Sequence, residues 1–278
     1  MKYASSILTR QCIAEFIGTA IFLFFGISCI AAIVLAGASL GLWEICIAWG
    51  LSVSLGVYLS AGISGGHLNP AVTIALWVSG CFEGKKVFAY IAAQMLGAFC
   101  GAAVVYFLYQ NLFVSFESTH HIVRGSAASL AQAGIFSTFP HPDISLTQAF
   151  ASETIGTMLL MCLILALTDD SNGAPRGPLA PLLIGIAVAL IGLAIGSLTG
   201  FALNPARDFG PRLFSVVMGW SRIALTGGRE IPYFIIPLIA PVIGACLGAG
   251  LYRFITRNVA QDADRQQGEQ DGKVAGVN

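Results

Sequence analysis

Two Asn-Pro-Ala tripeptides are the residues whose types and spacing point most directly to chemistry. They are Asn69-Pro70-Ala71 and Asn204-Pro205-Ala206. Asn is a strong N-cap and Pro is favoured at the first helical position, so each tripeptide predicts the start of a helix. The N-terminus of a helix carries roughly half a positive charge, and the two Asn side chains add N–H donors at the same place.

The residues before each Asn are the complementary source of hydrogen-bond acceptors. We expect them to be extended, so that their carbonyls stay unpaired and form one continuous ladder. They are Gly65, Gly66, His67 and Leu68 before the first Asn, and Gly200, Phe201, Ala202 and Leu203 before the second. The His67 ring is expected at one mouth of this ladder, and a gating role for the ring stays open.

Four charged side chains lie next to or within apolar stretches, where a charge is costly and usually functional. They are Glu15, Glu153, Arg207 and Asp208. For the two Glu residues a proton relay and a scaffold that accepts backbone hydrogen bonds are both open, and the scaffold is favoured. Arg207 is interpreted as part of the path, against a buried structural ion pair, and Asp208 as a supporting brace.

The amino-acid composition indicates the environment in which these residues lie. Hydrophobic residues make up 56% of the 278 residues and charged residues only 10%. An ordinary soluble domain has roughly 25% charged residues. So few charges exclude most soluble enzymes, disordered tails and nucleic-acid binders. The chain is therefore expected to be an all-α polytopic membrane protein.

Six apolar stretches are long enough to cross a bilayer, which takes roughly 20 helical residues. They lie at about 8–36, 41–61, 86–108, 145–168, 178–197 and 232–256. The alternating segments typical of a membrane β-barrel are absent from the sequence. The first apolar stretch is too long for the core of a cleavable signal peptide.

The flanking positive charges predict the orientation of these spans. With six spans, both termini and the second and fourth loops share one side of the membrane. That side holds most of the Lys and Arg residues: Lys2, Arg10, Lys85, Lys86, Arg176, Arg253, Arg257, Arg265 and Lys273. The positive-inside rule places both termini in the cytoplasm, and we expect a multi-pass protein of the inner (plasma) membrane.

Three short patterns recur in the same order in both halves of the chain. The recurring stretches are 14–19 and 152–157, 67–71 and 202–206, and 96–102 and 243–249. Each half holds three spans, and an odd number inverts the second half relative to the first, as in many transport proteins. The expected organisation is a first repeat at 1–108, an extracellular linker at 109–144, a second repeat at 145–256 and a disordered cytoplasmic tail at 257–278.

The apolar stretches after the two Asn residues predict half-helices at 69–79 and 205–217. About 11 residues extend roughly 16 Å, which is half of a bilayer core. Each must therefore enter the membrane and return, and the inversion brings their N-termini together near the midplane. Bare backbone at that depth is tolerated where it lines a water-filled path. Such a path suits a neutral solute that donates and accepts hydrogen bonds, and it repels cations and protons.

These motifs resemble those of the major intrinsic protein family, the aquaporins and glycerol facilitators. The resemblance covers roughly residues 8–256 and rests on residues 14–16, 67–73 and 200–208. It implies six tilted helices with two half-helices, a pore in each protomer and a homotetramer. It also implies the branch of bacterial glycerol facilitators, because glycerol-conducting members carry an acidic residue where this chain has Asp208.

The resemblance further implies a selectivity filter made of Trp49, Gly192, Phe201 and Arg207. Phe139, Arg212, Pro237 and Leu238 also fit the glycerol-conducting pattern, whereas Ser197 departs from it. The chemistry of these side chains supports the same interpretation independently of the resemblance. Two aromatic faces make an apolar corner for the C–H edge of a polyol, and Arg207 supplies fixed donors for adjacent hydroxyls.

We therefore expect a passive transmembrane channel for glycerol and related small neutral polyols that excludes protons and ions. Its partners would be these solutes, water and the lipid bilayer; no cofactor, metal, catalytic residue or nucleic acid is expected. A water-selective channel of the same fold is the main alternative, and Asp208 argues against it. An ion-coupled transporter or an intramembrane enzyme would need acidic clusters or catalytic motifs that the sequence lacks.

Overall fold

The architecture comes from a computed structural model, which describes the backbone at 2–169 and 177–275 and side chains at 6–169 and 177–256. In chain order the α-helices are α1 (Lys2–Ala36), α2 (Leu42–Ser64), α3 (Pro70–Val78), α4 (Gly84–Thr119), α5 (Leu130–Phe136), α6 (Leu146–Thr168), α7 (Ala180–Thr199), α8 (Pro205–Ser215), α9 (Ser221–Thr226) and α10 (Ile235–Ala275). Among the described residues, six helices are long and apolar enough to cross a membrane: α1, α2, α4, α6, α7 and α10. The expected all-α polytopic fold is confirmed.

Some of the charges used to orient the spans cannot be placed. The side chains of Lys2, Arg176, Arg257, Arg265 and Lys273 lie outside the described residues. The remaining cations of that group lie within α1, α4 and α10: they are Arg10, Lys85, Lys86 and Arg253.

The short helices α3 and α8 begin at the two Asn-Pro pairs. Each Asn is an extended N-cap whose side-chain oxygen accepts the backbone N–H two residues on, at 2.8 Å for Asn69 and 2.9 Å for Asn204. The nine residues of α3 extend about 14 Å, which is too short to cross a bilayer. After α8 the chain forms a π-helical segment, Val216–Trp220, that is kinked at Gly219.

The two halves of the molecule are built alike and interlock. In the first half α1 packs against α2 and α4, and in the second half α6 packs against α7 and α10. Each half-helix also leans on the opposite half, since α3 contacts α10 and α8 contacts α4. The remaining large contact between the halves joins α2 to α7. This exchange brings the N-termini of α3 and α8 together at the centre of the molecule.

Glycines let the long helices of each half approach closely. A Cβ on Gly97 of α4 would overlap the carbonyl oxygen of Phe16 on α1. A Cβ on Gly244 of α10, the equivalent glycine of the second half, would overlap the carbonyl oxygen of Thr154 on α6. Small residues four apart are a common way for helices to pack in lipid, and the two halves use them at equivalent positions.

The linker between the halves contains more helix than a connecting loop would. α4 continues to Thr119, beyond the predicted end of the third span near 108, because Phe113 on this extension is fully buried. The Phe113 ring stacks on Phe136 of α5 with centroids 5.7 Å apart and meets the Trp220 ring at 5.4 Å. These aromatic contacts tie the linker to the segment that follows α8.

The structure also differs from expectation at the C-terminal end. α10 is helical as far as Ala275, whereas the polar composition of 257–278 predicts a disordered tail. This stretch contains four Gln and three Ala residues, which have good helix propensity. The helix of the last span can therefore propagate into a segment that is polar in composition.

Candidate functional site

A cavity of about 400 Å³ runs through the centre of the molecule between the two halves. Trp49, Phe201 and Arg207 lie at one end of it, and Thr168 at the C-terminus of α6 lies at the other. Its wall includes most of the predicted path: Gly65, Gly66, His67, Leu68, Asn69, Phe201, Ala202, Leu203 and Asn204. Much of the remaining wall is apolar and comes from α2, α6 and α7: Val53, Val57, Leu160, Ile164, Ile184 and Val188.

The two Asn side chains hold the halves together at the middle of this cavity. Asn69 Nδ2 donates to the Leu203 carbonyl at 2.9 Å, and Asn204 Nδ2 donates to the Leu68 carbonyl at 2.8 Å. A side-chain amide nitrogen carries two protons, so one N–H of each Asn stays available to a molecule in the cavity. The other motif residues are buried beside them: Pro70, Ala71, Pro205 and Ala206.

The fully buried carboxylates Glu15 and Glu153 have matching partners in the two halves. Glu15 accepts hydrogen bonds from the backbone N–H groups of residues 67–68, at 3.0 and 2.7 Å. Glu153 accepts hydrogen bonds from those of residues 202–203, both at 2.9 Å. Each carboxylate therefore pins the backbone just before an Asn, which is the arrangement of a scaffold.

In the two segments before the Asn residues, the backbone N–H groups are hydrogen-bonded within the protein and most of the carbonyls are not. Every N–H at 65–68 and 200–203 donates to a protein acceptor, which is a helix-end carbonyl, a Ser64 or Thr199 hydroxyl, or a buried Glu. In the part of the chain that the structure describes, the carbonyls at 65–67 and 200–202 accept no hydrogen bond. Because an unpaired carbonyl away from water is costly, these segments favour a hydrogen-bonding molecule beside them.

The backbone of both segments adopts conformations that L-residues rarely take. Leu68, Phe201 and Leu203 have φ values of 49°, 42° and 55°. Such residues cost of order 1–3 kcal/mol each, and the Glu and Asn hydrogen bonds hold the neighbouring peptides in place. Gly65 and Gly200 open the two segments as left-handed caps of α2 and α7, where a residue without Cβ avoids strain.

Trp49, Phe201 and Arg207 form a slot at one end of the cavity, which we call the filter slot. The two aromatic rings meet edge to face with centroids 6.5 Å apart. The guanidinium carbon of Arg207 lies 3.8 Å from the centroid of the Trp49 ring. The filter slot thus places an apolar corner beside a cation, which matches a molecule with one C–H side and one hydroxylated side.

The Arg207 guanidinium makes no ion pair among the described residues. The neighbouring carboxylate, Asp208, instead binds Arg212, whose Nε and Nη2 donate to it at 2.8 and 3.0 Å. Nη1 of Arg207 is buried and has no hydrogen-bond partner within the same part of the chain. A buried donor without a partner is penalised, and a hydroxyl oxygen in the filter slot would relieve that penalty.

Gly192, predicted as a filter residue, and Gly200, predicted as a path residue, are not among the residues that line the cavity. A Cβ on Gly192 would be 3.0 Å from the Phe201 ring and 2.9 Å from the Cys46 sulfur. A Cβ on Gly200 would be 3.1 Å from the Thr138 side chain. Gly192 therefore contributes by making room for the Phe201 ring, and solute would meet the ring.

Sequence reasoning overlooked the polar side chains that support Glu15. Gln94 Nε2 donates to Glu15 at 2.7 Å and to the Thr73 hydroxyl at 3.0 Å, and the Ser64 hydroxyl donates to Glu15 at 2.6 Å. Thr73 also hydrogen-bonds His67 Nδ1 at 3.1 Å, which holds the imidazole ring. The signal that could have identified this network is the amide of Gln94 inside an apolar span.

The linker contributes a residue that no sequence pattern identified. The N–H and hydroxyl of Thr138 donate to Asp208 Oδ2 at 2.8 and 2.7 Å, and Arg212 Nη2 donates to the Thr138 carbonyl at 2.7 Å. Asp208 is thus a brace between α8 and the linker, and it lies off the cavity wall.

Fold and site together define a multi-pass membrane protein with a hydrogen-bonding path through its centre. The family model for "Major intrinsic protein" matches residues 2–252. The chain belongs to the major intrinsic protein family, as its motifs predicted, and it is a channel protein and not an enzyme.

Its relatives are similar over nearly their whole length. The chain is 63% identical over 246 residues to the glycerol uptake facilitator protein of Haemophilus influenzae, covering 88% of this chain and 93% of the relative. It is 63% identical over 253 residues to the propanediol uptake facilitator PduF of Salmonella typhimurium, covering 91% and 96%. The solved structure of the aquaglyceroporin from Plasmodium falciparum matches with a TM-score of 0.77 at 35% identity, covering 88% and 95%.

Proposed function

We propose that this protein is a passive channel for glycerol and related small neutral polyols. Solute moves down its own gradient, with no cofactor and no chemical step. The relatives above are named for the uptake of glycerol and of propanediol, which are both small neutral polyols. In this proposal the solute passes the filter residues Trp49, Gly192, Phe201 and Arg207 and then the backbone path on either side of the two Asn residues.

The observation that carries the proposal is the two-sided chemistry of the filter slot. Trp49 and Phe201 present ring surface, and Arg207 presents an N–H group that lacks a protein partner. A polyol can turn its carbon chain to the rings and its hydroxyl oxygens to the guanidinium. Water has no C–H side, so the aromatic corner favours the polyol over water.

Beyond the filter slot, the path exchanges hydrogen bonds with both ends of each hydroxyl group. The unpaired carbonyls at 65–67 and 201–202 accept hydroxyl protons, and the free N–H of each Asn donates to hydroxyl oxygens. A solute that loses its hydration shell on entry finds replacement partners along the way. The apolar wall from α2, α6 and α7 accommodates the C–H side.

The same arrangement opposes cations and protons. The N-termini of α3 and α8 face each other at the Asn pair, and each contributes roughly half a positive charge. Arg207 adds a full positive charge at the filter slot without a neutralising partner among the described residues. A cation entering the path meets positive potential twice, and ion exclusion in channels commonly uses such barriers.

Proteoliposomes test the proposal directly. Vesicles containing the protein should swell faster in an inward glycerol gradient than protein-free vesicles of the same size, as measured by stopped-flow light scattering. Swelling at the protein-free rate would reject a glycerol channel. A proton-selective dye in the same vesicles should report no added proton flux.

A water-selective channel is the alternative with the same fold. Comparing water and glycerol permeabilities in one stopped-flow series separates the two, because a water-selective channel would speed only the osmotic phase. An ion-coupled transporter would behave differently again. Its glycerol uptake would collapse with a protonophore, whereas uptake through a passive channel would not change.

The proposal extends to orientation and assembly. We place the protein in the inner membrane with both termini in the cytoplasm, following the positive-inside rule. We also propose a homotetramer with one path in each protomer, which the family implies. Cross-linking in membranes followed by gel electrophoresis should give a ladder that ends at four subunits.

A further inference from the structure

We propose that Thr138 in the linker is a positioning residue that sets the selectivity of the filter slot. The inference rests on the proposed function and adds a residue that does not touch solute. Thr138 is buried and lies off the cavity wall. It must therefore act through its neighbours.

The first neighbour of Thr138 is the buried ion pair on α8. Asp208 and Arg212 are both completely buried, and a buried pair is tolerated only when further hydrogen bonds satisfy its remaining polar atoms. Thr138 supplies three of these bonds. Its N–H and hydroxyl donate to Asp208 Oδ2, and its carbonyl accepts from Arg212 Nη2.

These bonds hold the Asp208 carboxylate away from the filter cation. Asp208 directly follows Arg207, whose guanidinium has no ion-pair partner among the described residues. The structure directs the carboxylate to Arg212 and Thr138 instead, so Arg207 keeps its full charge for solute. Without the Thr138 hydroxyl the Asp208 carboxylate loses one hydrogen-bond donor. The adjacent guanidinium of Arg207 would then compete for the carboxylate.

The second neighbour of Thr138 is the backbone that presents the Phe201 ring. The Thr138 Cβ and Cγ2 lie where they would be 3.1 Å from a Cβ on Gly200, the residue before Phe201. Close by, the His141 N–H donates to the Leu198 carbonyl at 2.9 Å. The hydroxyl of Thr138 thus serves the arm of the filter slot that carries Arg207, and its methyl group packs on the arm that carries Phe201.

Two substitutions separate these contributions. Thr138→Val keeps the shape of the side chain and removes the hydroxyl, and Thr138→Ser keeps the hydroxyl and removes the methyl group. The matched control is Thr226→Val, since Thr226 is also buried but donates its hydroxyl to the Arg222 carbonyl within its own helix. The measured quantity is the ratio of glycerol to water permeability in proteoliposomes, normalised to reconstituted protein.

We expect Thr138→Val to lower this ratio by about tenfold, the factor expected for one hydrogen bond to a charged group. Thr226→Val should keep the wild-type ratio, and Thr138→Ser should lower it clearly less than Thr138→Val, because only packing is lost. A wild-type ratio in Thr138→Val would overturn the proposal, as would equal losses in the Val and Ser variants. Failure of the Val variant to reconstitute also counts against it, because the hydroxyl would then be required for folding. Absence of glycerol flux in the wild-type protein would instead reject the proposed function.

Discussion

Val72 and Arg207 occupy equivalent positions after the two Asn-Pro-Ala motifs, and this difference is one source of the asymmetry of the path. Val72 is an apolar part of the cavity wall, and Arg207 is the cation of the filter slot. The next residues differ in the same way. Thr73 hydrogen-bonds Gln94 in the first half, whereas Asp208 pairs with a buried Arg in the second. The two halves share a scaffold, and the second half alone places a cation beside it.

Replacing Arg207 tests the role of this cation. Arg207→Ala should reduce the discrimination between glycerol and ions or larger polyols by at least about tenfold. A lost hydrogen bond to a charged group, about 1.5–3 kcal/mol, corresponds to that factor or more. The measurement compares solute and ion fluxes in proteoliposomes, with Arg222→Ala on the exposed surface as control. Unchanged selectivity would place Arg207 outside the constriction.

Gly192 offers a test of the aromatic side of the filter slot. Gly192→Ala should lower glycerol permeability by about tenfold, because the added methyl group overlaps the Phe201 ring and overpacking of this kind costs about 1–3 kcal/mol. Gly62→Ala is the control, since a Cβ there meets nothing within 4 Å. Equal glycerol permeability in the two variants would show that the ring has room to move.

At the scale of the elements, the half-helices are held by four kinds of contact. Asn caps start them, buried carboxylates fix the backbone before them, and the opposite Asn locks that backbone across the molecule. Their outer faces then pack against the last span of the opposite half. Neither half-helix therefore has its full set of partners until both halves have assembled.

The close packing of α4 on α1 and of α10 on α6 depends on glycines at the points of contact. Gly248→Ala should lower the thermal unfolding midpoint in detergent, with a loss of about 1–3 kcal/mol from overpacking, because α10 would be pushed away from Met158 on α6. Gly250→Ala on the same helix is the matched control, since a Cβ at Gly250 meets nothing within 4 Å. Identical midpoints for the two variants would contradict the close approach.

At the scale of the whole molecule, the outer surface carries many exposed apolar side chains. Large side chains such as Phe88, Phe107 and Phe254 are 68–83% exposed on membrane-spanning helices. An isolated soluble protein rarely exposes such patches, and they are expected on helices that face lipid. The buried polar residues Asn69, Asn204 and Arg207 instead line the central cavity, as expected for a chain whose solvent is a bilayer.

The orientation of the whole molecule can be tested with a native thiol. Cys81, in the connection between α3 and α4, is exposed, whereas the other cysteines are buried or partly buried. A membrane-impermeant maleimide should label Cys81 in inside-out vesicles and spare it in right-side-out vesicles. Asp143→Cys, at an exposed position on the opposite side, should show the reverse pattern. Labelling of Cys81 from outside would invert the proposed topology.

The sequence by itself determined the features that depend on local chemistry and on length. Apolar stretches of span length can only be satisfied in lipid as helices, so the spans followed from composition. Asn-Pro pairs start helices wherever they occur, and apolar stretches too short to span had to be half-helices. Repeated motifs over an odd number of spans indicated the inversion.

Tertiary structure decided which side chains pair across the molecule. No local pattern tells whether Asp208 binds Arg207 or Arg212, since both are near it on the same helix; the linker residue Thr138 directs the choice. Likewise, no local pattern tells that Gly192 leaves room for the Phe201 ring or that Gly200 lies against the Thr138 side chain. Such outcomes depend on competition among distant partners for buried polar groups, which is settled only when all of them are brought together.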